Sequence, residues 1–366
     1  MLFLFPVLVV APVAPSGIRA LQNPNLCIVV AFAMPVTELE DGMVIQDDTD
    51  TMLHLEQRFP GRPMAPSSPT QKAVAWLIEF FGCDLFFIPA MHYRWNFPEQ
   101  QDCLDAEFAR AICSSKDPKQ QQEAIAPIRA FFAGFPAAMD VNEKTIPATE
   151  GSHIECLEIL NQHFLHHPYL LGGHPSLADV GLIGPLFAHL GRDPVPANIM
   201  KNIAPHGYRW TERMFEGNQQ NGEFVDLDYP FPDNDVLPET LIPFIEYLFH
   251  DCGPQLQGML DTFNAWVARE PDRPAGTLIQ TDLKAPVGAH PKLGNFDFEL
   301  HGVTIHSQAL SNVVHHFQRV VDVIDTLDEN GKAAFDSLMT RTGGAALMST
   351  KLTRRIKSEH YCFKLA

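Results

Sequence analysis

Basic residues are scarce in this chain: 26 Lys and Arg face 44 Asp and Glu, which leaves a formal net charge of −18 with the histidines neutral. An acidic surface repels phosphate backbones, so the composition predicts no nucleic-acid partner. Charged residues make up 19% and apolar residues 46%, which is typical of a globular protein and too apolar for a disordered one. At about 150 residues per domain, 366 residues predict two or three domains.

The apolar stretch that opens the chain is too short for a membrane helix. It runs from Met1 to Pro15, whereas a helix needs ~20 residues to span a bilayer. A secretory signal would carry a positive charge ahead of its apolar run, but the first basic residue, Arg19, follows it. We therefore expect a cytoplasmic protein with no membrane partner. The apolar stretch itself has three possible interpretations: a buried strand, a damaged amino terminus or a cleaved signal.

Paired cysteines and the common site motifs are missing. The cysteines are scattered, odd in number and without a C-x-x-C pair, so neither a disulfide framework nor a structural zinc site is predicted; they are Cys27, Cys83, Cys103, Cys113, Cys156, Cys252 and Cys362. The sixteen histidines include no H-E-x-x-H motif, and we expect no metal site. Phosphate-cradling glycine loops, nucleophile elbows and dinucleotide fingerprints are missing too.

Three regions differ in their sequence pattern. Residues 1–62 carry short β-branched and aromatic runs between Pro and Gly, which predict strands around connecting helices. A Pro- and Ser-rich break at 60–69 predicts a linker. Residues 70–232 then show helical periodicity, and residues 233–366 show a mixed pattern. We therefore expect boundaries near 62 and 232.

One helix start in the middle region is clearly marked. Ser176 follows a proline and precedes Asp179 by three residues, so the serine can cap the helix and the acid can reach back to the N–H of the serine. The run 180–190 is nearly all apolar and predicts a helix buried at the centre of an all-helical domain. The last region predicts helices at 238–249, 254–268, 311–327 and 332–339, and a hairpin at 296–306.

Two segments match one known family. Residues 34–59 read MPVTELEDGMVIQDDTDTMLHLEQRF, and residues 169–190 read YLLGGHPSLADVGLIGPLFAHL. The first resembles the second half of the thioredoxin-like domain of glutathione transferases, with a Pro-led strand, a turn, a second strand and a helix. The second resembles the central helix of that family's carboxy-terminal domain, and residues 208–214 resemble the segment that follows it.

The resemblance covers roughly residues 15–217 and implies a fold class. That class is α+β and mostly α: an incomplete thioredoxin-like α/β domain at 1–62, an all-α bundle at 70–232, and a mixed extension at 233–366. The extension looks like the appended region of some longer bacterial-type relatives. Proteins of this family are usually homodimers.

The resemblance also implies a glutathione site. A cis-proline at Pro35 would turn the chain so that Met34 offers its N–H and C=O to the tripeptide as if to an added strand. Gln46 and Asp47 match the positions that hold the γ-glutamyl end, where an acid pairs with its ammonium and a helix N-terminus with its carboxylate. The plain alternatives are a strand-initial or turn proline and an acid that only complements the helix dipole.

Two features depart from the family pattern. Asp48 stands where the family has a serine, and an aspartate repels a carboxylate ligand, although Thr49 offers a hydroxyl one residue later. Ser16 matches the residue that lowers the pKa of the glutathione thiol, with a simple helix cap as its alternative. However, only 15 residues separate Arg19 from Pro35, too few for a helix, a strand and a second helix, because a crossover alone takes a dozen or more.

Tyr93 and Arg94 belong to the helix that faces the second-substrate pocket in the family, so the resemblance implies a lining role. A buried stack with Arg94 paired to an acid is the alternative. The implied function is glutathione conjugation: Ser16 activates the thiol of glutathione, the co-substrate, and the thiolate attacks a small apolar electrophile. The rival hypothesis is a non-catalytic, glutathione-transferase-like scaffold or binding protein, which the shortened start and Asp48 both favour.

Overall fold

A computed structural model describes residues 36–39, 42–61, 63–216, 222–225, 231–279, 292–359 and 362–366 of the chain. In this part the chain is mostly helical, and its strands form three two-stranded antiparallel sheets. The mostly helical α+β class predicted from the sequence is confirmed. Its finer assignment to a thioredoxin-like domain and a bundle stays a prediction.

The elements follow one another in an order that separates the hairpins by long helical stretches. The strands are β1 (Val36–Glu38), β2 (Val44–Gln46), β3 (Lys292–Leu300), β4 (Val303–Leu310), β5 (Ile356–Glu359) and β6 (Cys362–Leu365). The helices are α1 (Asp48–Arg58), α2 (Pro69–Leu85), α3 (Phe87–Trp95), α4 (Gln101–Ile112), α5 (Pro118–Phe132), α6 (Phe135–Ala138), α7 (Ile146–His166), α8 (Leu177–Ala188), α9 (Pro194–Ile203), α10 (Pro205–Glu216), α11 (Ile242–Tyr247), α12 (Gly253–Arg269), α13 (Ser311–Asp325), α14 (Glu329–Arg341) and α15 (Ala345–Met348). A π-helical turn, Leu248–Cys252, joins α11 to α12.

The capping box predicted at the start of α8 is confirmed. Asp179 Oδ2 accepts hydrogen bonds from the backbone N–H of Ser176 at 2.8 Å and from its hydroxyl at 2.7 Å. Asp179 Oδ1 accepts two more, from the N–H of Leu170 and from the indole of Trp210, both at 2.9 Å. Burial raises the pKa of Asp179 despite these donors. The acid therefore joins the α8 start to the preceding loop and to α10.

Helices α2 and α8 form the centre of the helical core. They approach so closely at Gly82 and Gly181 that a Cβ on Gly181 would lie 2.4 Å from the Cα of Glu79. Glycine is required at this crossing because any side chain would separate the two backbones. The apolar sides of α2 also contact the last third of the chain, where Phe80 packs on Phe317 with ring centroids 5.6 Å apart.

One continuous apolar core extends through these elements. It includes residues from Ala73 in α2 to Leu365 in β6, so helices on both sides of the predicted boundary near residue 232 share it. The N-terminus of α2 is capped from beyond that boundary, since Asp235 accepts the N–H groups of Thr70 and Gln71 at 2.9 and 3.0 Å. The domain boundaries stay a prediction, and the described packing joins the two regions.

The predicted hairpin of the last region is confirmed and is longer than expected. Strands β3 and β4 pair from Lys292 with Leu310 to Leu300 with Val303. The turn residues His301 and Gly302 have φ values of +49° and +76°, as a two-residue turn with both residues left-handed requires.

The stretch Pro69–Trp95 passes a length-and-hydropathy test for a membrane-crossing helix. In its most apolar window, 83% of the residues are buried inside the fold. Core helices of globular proteins pass the same test, so the finding carries no conclusion about a membrane.

Candidate functional site

The predicted site residues fall in two parts of the chain. Ser16, Met34 and Pro35 lie outside the described residues, so the implied thiol activation and main-chain pairing stay predictions. Gln46 is the last residue of β2, and Asp48 is the first residue of α1. Asp47, between them, is the residue of this set whose side-chain contacts the structure gives.

Asp47 caps α1 in a strained backbone conformation. Its φ of +101° lies in the left-handed region, which costs a residue other than glycine about 1–3 kcal/mol. Its Oδ1 accepts the N–H of Asp50 at 3.0 Å, the hydrogen bond of an N-cap. A strained backbone conformation persists only where the surrounding structure holds it in place. Around Asp47 that surrounding structure consists of charged side chains.

Asp47 belongs to a group of ionic side chains that we call the junction cluster: Asp47, Asp84, His316 and Arg319. The Nδ1 of His316 lies 2.9 Å from Oδ2 of Asp84, and its Nε2 lies 3.4 Å from Oδ2 of Asp47. Arg319 Nη1 donates to Oδ1 of Asp47 at 3.3 Å, and its Nη2 lies 3.1 Å from Oδ1 of Asp50. The cluster therefore connects the start of α1, the end of α2 and one face of α13.

The charges of the junction cluster fix its protonation states. Burial alone would lower the pKa of His316, but the carboxylates of Asp84 and Asp47 outweigh it and raise that pKa to about 10. Burial would raise the pKa of Asp47 and of Asp84, yet His316 lowers both, and Arg319 lowers that of Asp47 further. At neutral pH the cluster therefore contains an imidazolium with a carboxylate at each nitrogen, and no lone pair remains for base catalysis.

The hydroxyl expected to replace the family's serine is also engaged. Thr49 is buried, and its Oγ1 donates to Oε1 of Glu79 at 2.5 Å. Glu79 is itself a buried acid on α2, one turn before Cys83, whose Sγ lies 3.8 Å from the same Oε1. The start of α1 therefore contacts α2 directly, through the hydrogen bond from Thr49 to Glu79. It is also linked to α2 through His316, which pairs with both Asp47 and Asp84.

The neighbouring histidines of α13 have opposite environments. His315 Nδ1 lies 3.1 Å from the carbonyl oxygen of Ile356, and burial together with the charge of His316 lowers its pKa to about 4. One imidazole is thus neutral and the next is charged. The sequence marks the pair only as adjacent histidines, and nothing in their spacing indicates that a carboxylate 232 positions earlier contacts His316.

Tyr93 and Arg94 are buried in the helical core. Arg94 forms a two-pronged ion pair with Asp193, at 2.7 Å from Nε to Oδ2 and 2.9 Å from Nη2 to Oδ1. Tyr93 stacks on Phe97 with ring planes 8° apart, and burial raises its pKa. This is the geometry of the alternative interpretation, a buried stack with Arg94 paired to an acid.

Two cavities lie among the described residues of the helical region. A cavity of about 20 Å³ between α2, α3 and α8 is lined by Cys83, Phe87 and Pro185 among others, which is room for a water molecule and not for a tripeptide. A larger groove, about 520 Å³, lies on the surface at α9 and α10. Its wall includes the exposed ring of Phe215, stacked on Phe187, and the ammonium of Lys201 over the ring of Tyr208.

Comparison with known proteins gives no relative: no family model, no curated protein and no solved structure matches the chain. The functional conclusion therefore depends on the geometry of the described residues and on the sequence patterns.

Proposed function

We propose that this chain is a glutathione-transferase-like scaffold or binding protein that does not conjugate glutathione. The observation that supports the proposal is the state of Asp47. The resemblance aligns this acid with the one that pairs with the ammonium of the γ-glutamyl group, and its carboxylate is already held by His316 and Arg319 of α13.

Charge argues in the same direction. An incoming ammonium would have to displace a guanidinium or an imidazolium whose loss leaves the buried Asp84 without its cation. The carboxylate of the same ligand would meet Asp47 and Asp50 at the start of α1, and like charges repel it. The hydroxyl of Thr49, which would otherwise replace the family's serine, donates to Glu79. Asp47 and Thr49, two of the polar groups that the ligand would need, therefore have internal roles instead.

The architecture supports the resemblance in its coarse features. A short antiparallel hairpin, β1 and β2, leads directly into α1, in the order that the family pattern implies. The α8 helix has its capping box and lies at the centre of the helical core. The groove at α9 and α10 offers an exposed aromatic surface to a ligand or partner, which supports the binding role.

The test is retention on immobilised glutathione, followed by conjugation of the chromogenic electrophile 1-chloro-2,4-dinitrobenzene by the full chain. We expect no retention, and turnover no faster than the uncatalysed reaction, because Asp47 is engaged. The Asp47→Asn variant serves as the matched control and should lower stability without changing either readout.

The opposite result would support the transferase. Retention on the resin, lost in Asp47→Asn, together with turnover lost in Ser16→Ala, would show that the glutathione site is intact and that our proposal is wrong.

A further inference from the structure

Three potential metal ligands from distant parts of the chain meet beside the π-helical turn. They are Glu155 on α7, Asp251 in the turn, and His301 at the tip of the β3–β4 hairpin. The Nε2 of His301 lies 3.0 Å from Oδ2 of Asp251 and 3.5 Å from Oε2 of Glu155. One ring nitrogen therefore faces two carboxylate oxygens at once, and all three ligand atoms lie within 4.8 Å of one another.

The backbone is shaped to bring the imidazole to this place. His301 has a left-handed φ of +49°, which the two-residue turn requires, and it lies at the tip of the hairpin. The facing residue on α7 is Gly151, where an added Cβ would lie only 3.2 Å from Nδ1 of His301. Asp251 lies in a π-helical turn. Such turns are rare in proteins, and those that occur are often found at functional sites. These independent local features all act on the same group of side chains.

We propose that Glu155, Asp251 and His301 bind one divalent transition-metal ion. Bonds of about 2.0–2.2 Å from such an ion to nitrogen and oxygen, at angles near those of a tetrahedron or an octahedron, place ligand atoms about 3.0–3.5 Å apart. The two separations measured from His301 have these values. One imidazole and two carboxylates are ligands that suit Zn²⁺, Mn²⁺ and Fe²⁺.

Burial and charge support the same assignment. The Asp251 side chain is 1% exposed, and buried carboxylates are usually paired with a cation or coordinate a metal ion. Its second oxygen, Oδ1, lies 2.5 Å from Nδ1 of His250, the kind of outer contact that orients a ligating carboxylate. Glu155 and His301 are 49% and 27% exposed, which leaves an entry path from solvent and room for a water ligand.

The nearby cysteines are not part of the ligand set. The group of ligand atoms that lie within 4.8 Å of one another consists of Glu155, Asp251 and His301, and neither Cys156 nor Cys252 belongs to it. The site is of the imidazole–carboxylate type and would join the hairpin tip to α7 and the π-helical turn.

Titration of the metal-free full chain with ZnCl₂, and separately with MnCl₂, tests the proposal by isothermal calorimetry and by thermal unfolding. We expect one ion per chain and a rise in Tm, because a ligand that binds only the folded state stabilises it. Affinity should fall at least tenfold in His301→Asn, since asparagine keeps the left-handed turn but removes the imidazole. The half-exposed Glu155→Gln gives a second variant whose folding is not at risk.

His306→Gln provides the matched control. This histidine lies on the same hairpin, is 69% exposed and pairs with Asp297 outside the cluster. Its variant should bind the ion as the unmodified chain does. Equal binding by the unmodified chain, His301→Asn and Glu155→Gln, or no binding of either ion by the unmodified chain, would overturn the proposal.

Discussion

At the scale of single residues, His316 determines the character of the junction cluster. It is the cation between two carboxylates, and one of them, Asp84, has a side chain that is only 2% exposed. Removal of a cation beside a buried acid costs about 3–5 kcal/mol because the remaining charge is uncompensated. His316 and Arg319 also form ion pairs with the carboxylate of Asp47. The backbone of Asp47 is strained, and the family resemblance implies that its side chain contacts the ligand.

We predict that His316→Gln lowers the free energy of unfolding by about 3 kcal/mol at pH 6. The pKa of His316 is about 10 in the folded chain and 6.5 ordinarily, so its contribution is complete below pH 6.5 and is lost as the pH rises toward 10. Urea unfolding of both proteins at pH 6, 8 and 10 should show the difference shrinking with pH. A difference that is constant over this range, or one equal to that of His306→Gln, would contradict the prediction.

At the scale of elements, helices α2 and α8 are in close backbone contact where Gly82 and Gly181 cross. The Cβ positions of both Gly82 and Gly181 would meet backbone atoms of the opposite helix, at 2.8 and 2.4 Å. Backbone cannot move aside as a flexible side chain can, so the two helices would have to separate. Their separation would loosen the core on which α13 packs.

We expect Gly181→Ala to destabilise the protein by about 3 kcal/mol or more, at the upper end for overpacked cores, although alanine is the better helix former. Thermal unfolding monitored by circular dichroism measures the loss. Gly61→Ala is the control, because no atom of the described residues beyond its chain neighbours lies within 4 Å of its Cβ position, and it should leave Tm unchanged. An unchanged Tm in Gly181→Ala would mean that the helices are not in contact at this crossing.

At the scale of the whole molecule, the last third of the chain completes the core of the middle third. Phe80 and Phe81 of α2 pack against Phe317 and Phe249, with ring centroids 5.6 and 5.7 Å apart. Asp235, which also belongs to the last third of the chain, accepts backbone N–H groups at the start of α2. The extension that the resemblance implies therefore contributes to the interior of the helical region.

A fragment ending at residue 232 should consequently lack a cooperative fold. Its α2 helix would expose the rings that contact Phe317 and Phe249, and hydrophobic burial is the main source of stability. We expect broad, non-cooperative thermal unfolding and a weak near-ultraviolet circular dichroism signal, both restored when the fragment is co-expressed with residues 233–366. Cooperative unfolding of the fragment alone would instead support an independent domain that ends near residue 232.

Some of this structure could be predicted because the signals are local. The capping box at Ser176 and Asp179 needs only a spacing of three residues and an apolar run behind it. The hairpin around His301 and Gly302 needs only two β-rich runs and a turn. The metal ligands could not be predicted in this way, since Glu155, Asp251 and His301 come from three segments and no fixed spacing joins them.

The amino-acid sequence alone determined the mostly helical class, the start of the central helix and the position of the last hairpin, because each follows from hydrophobic period and turn chemistry within a few residues. Only the tertiary structure decided the roles of the charged side chains. The residues around Asp47 in the sequence indicate a possible ligand contact. In the folded chain α13 brings His316 and Arg319 beside Asp47, which is therefore an internal ion-pair partner. Charge pairing depends on distance in space, which chain order does not encode.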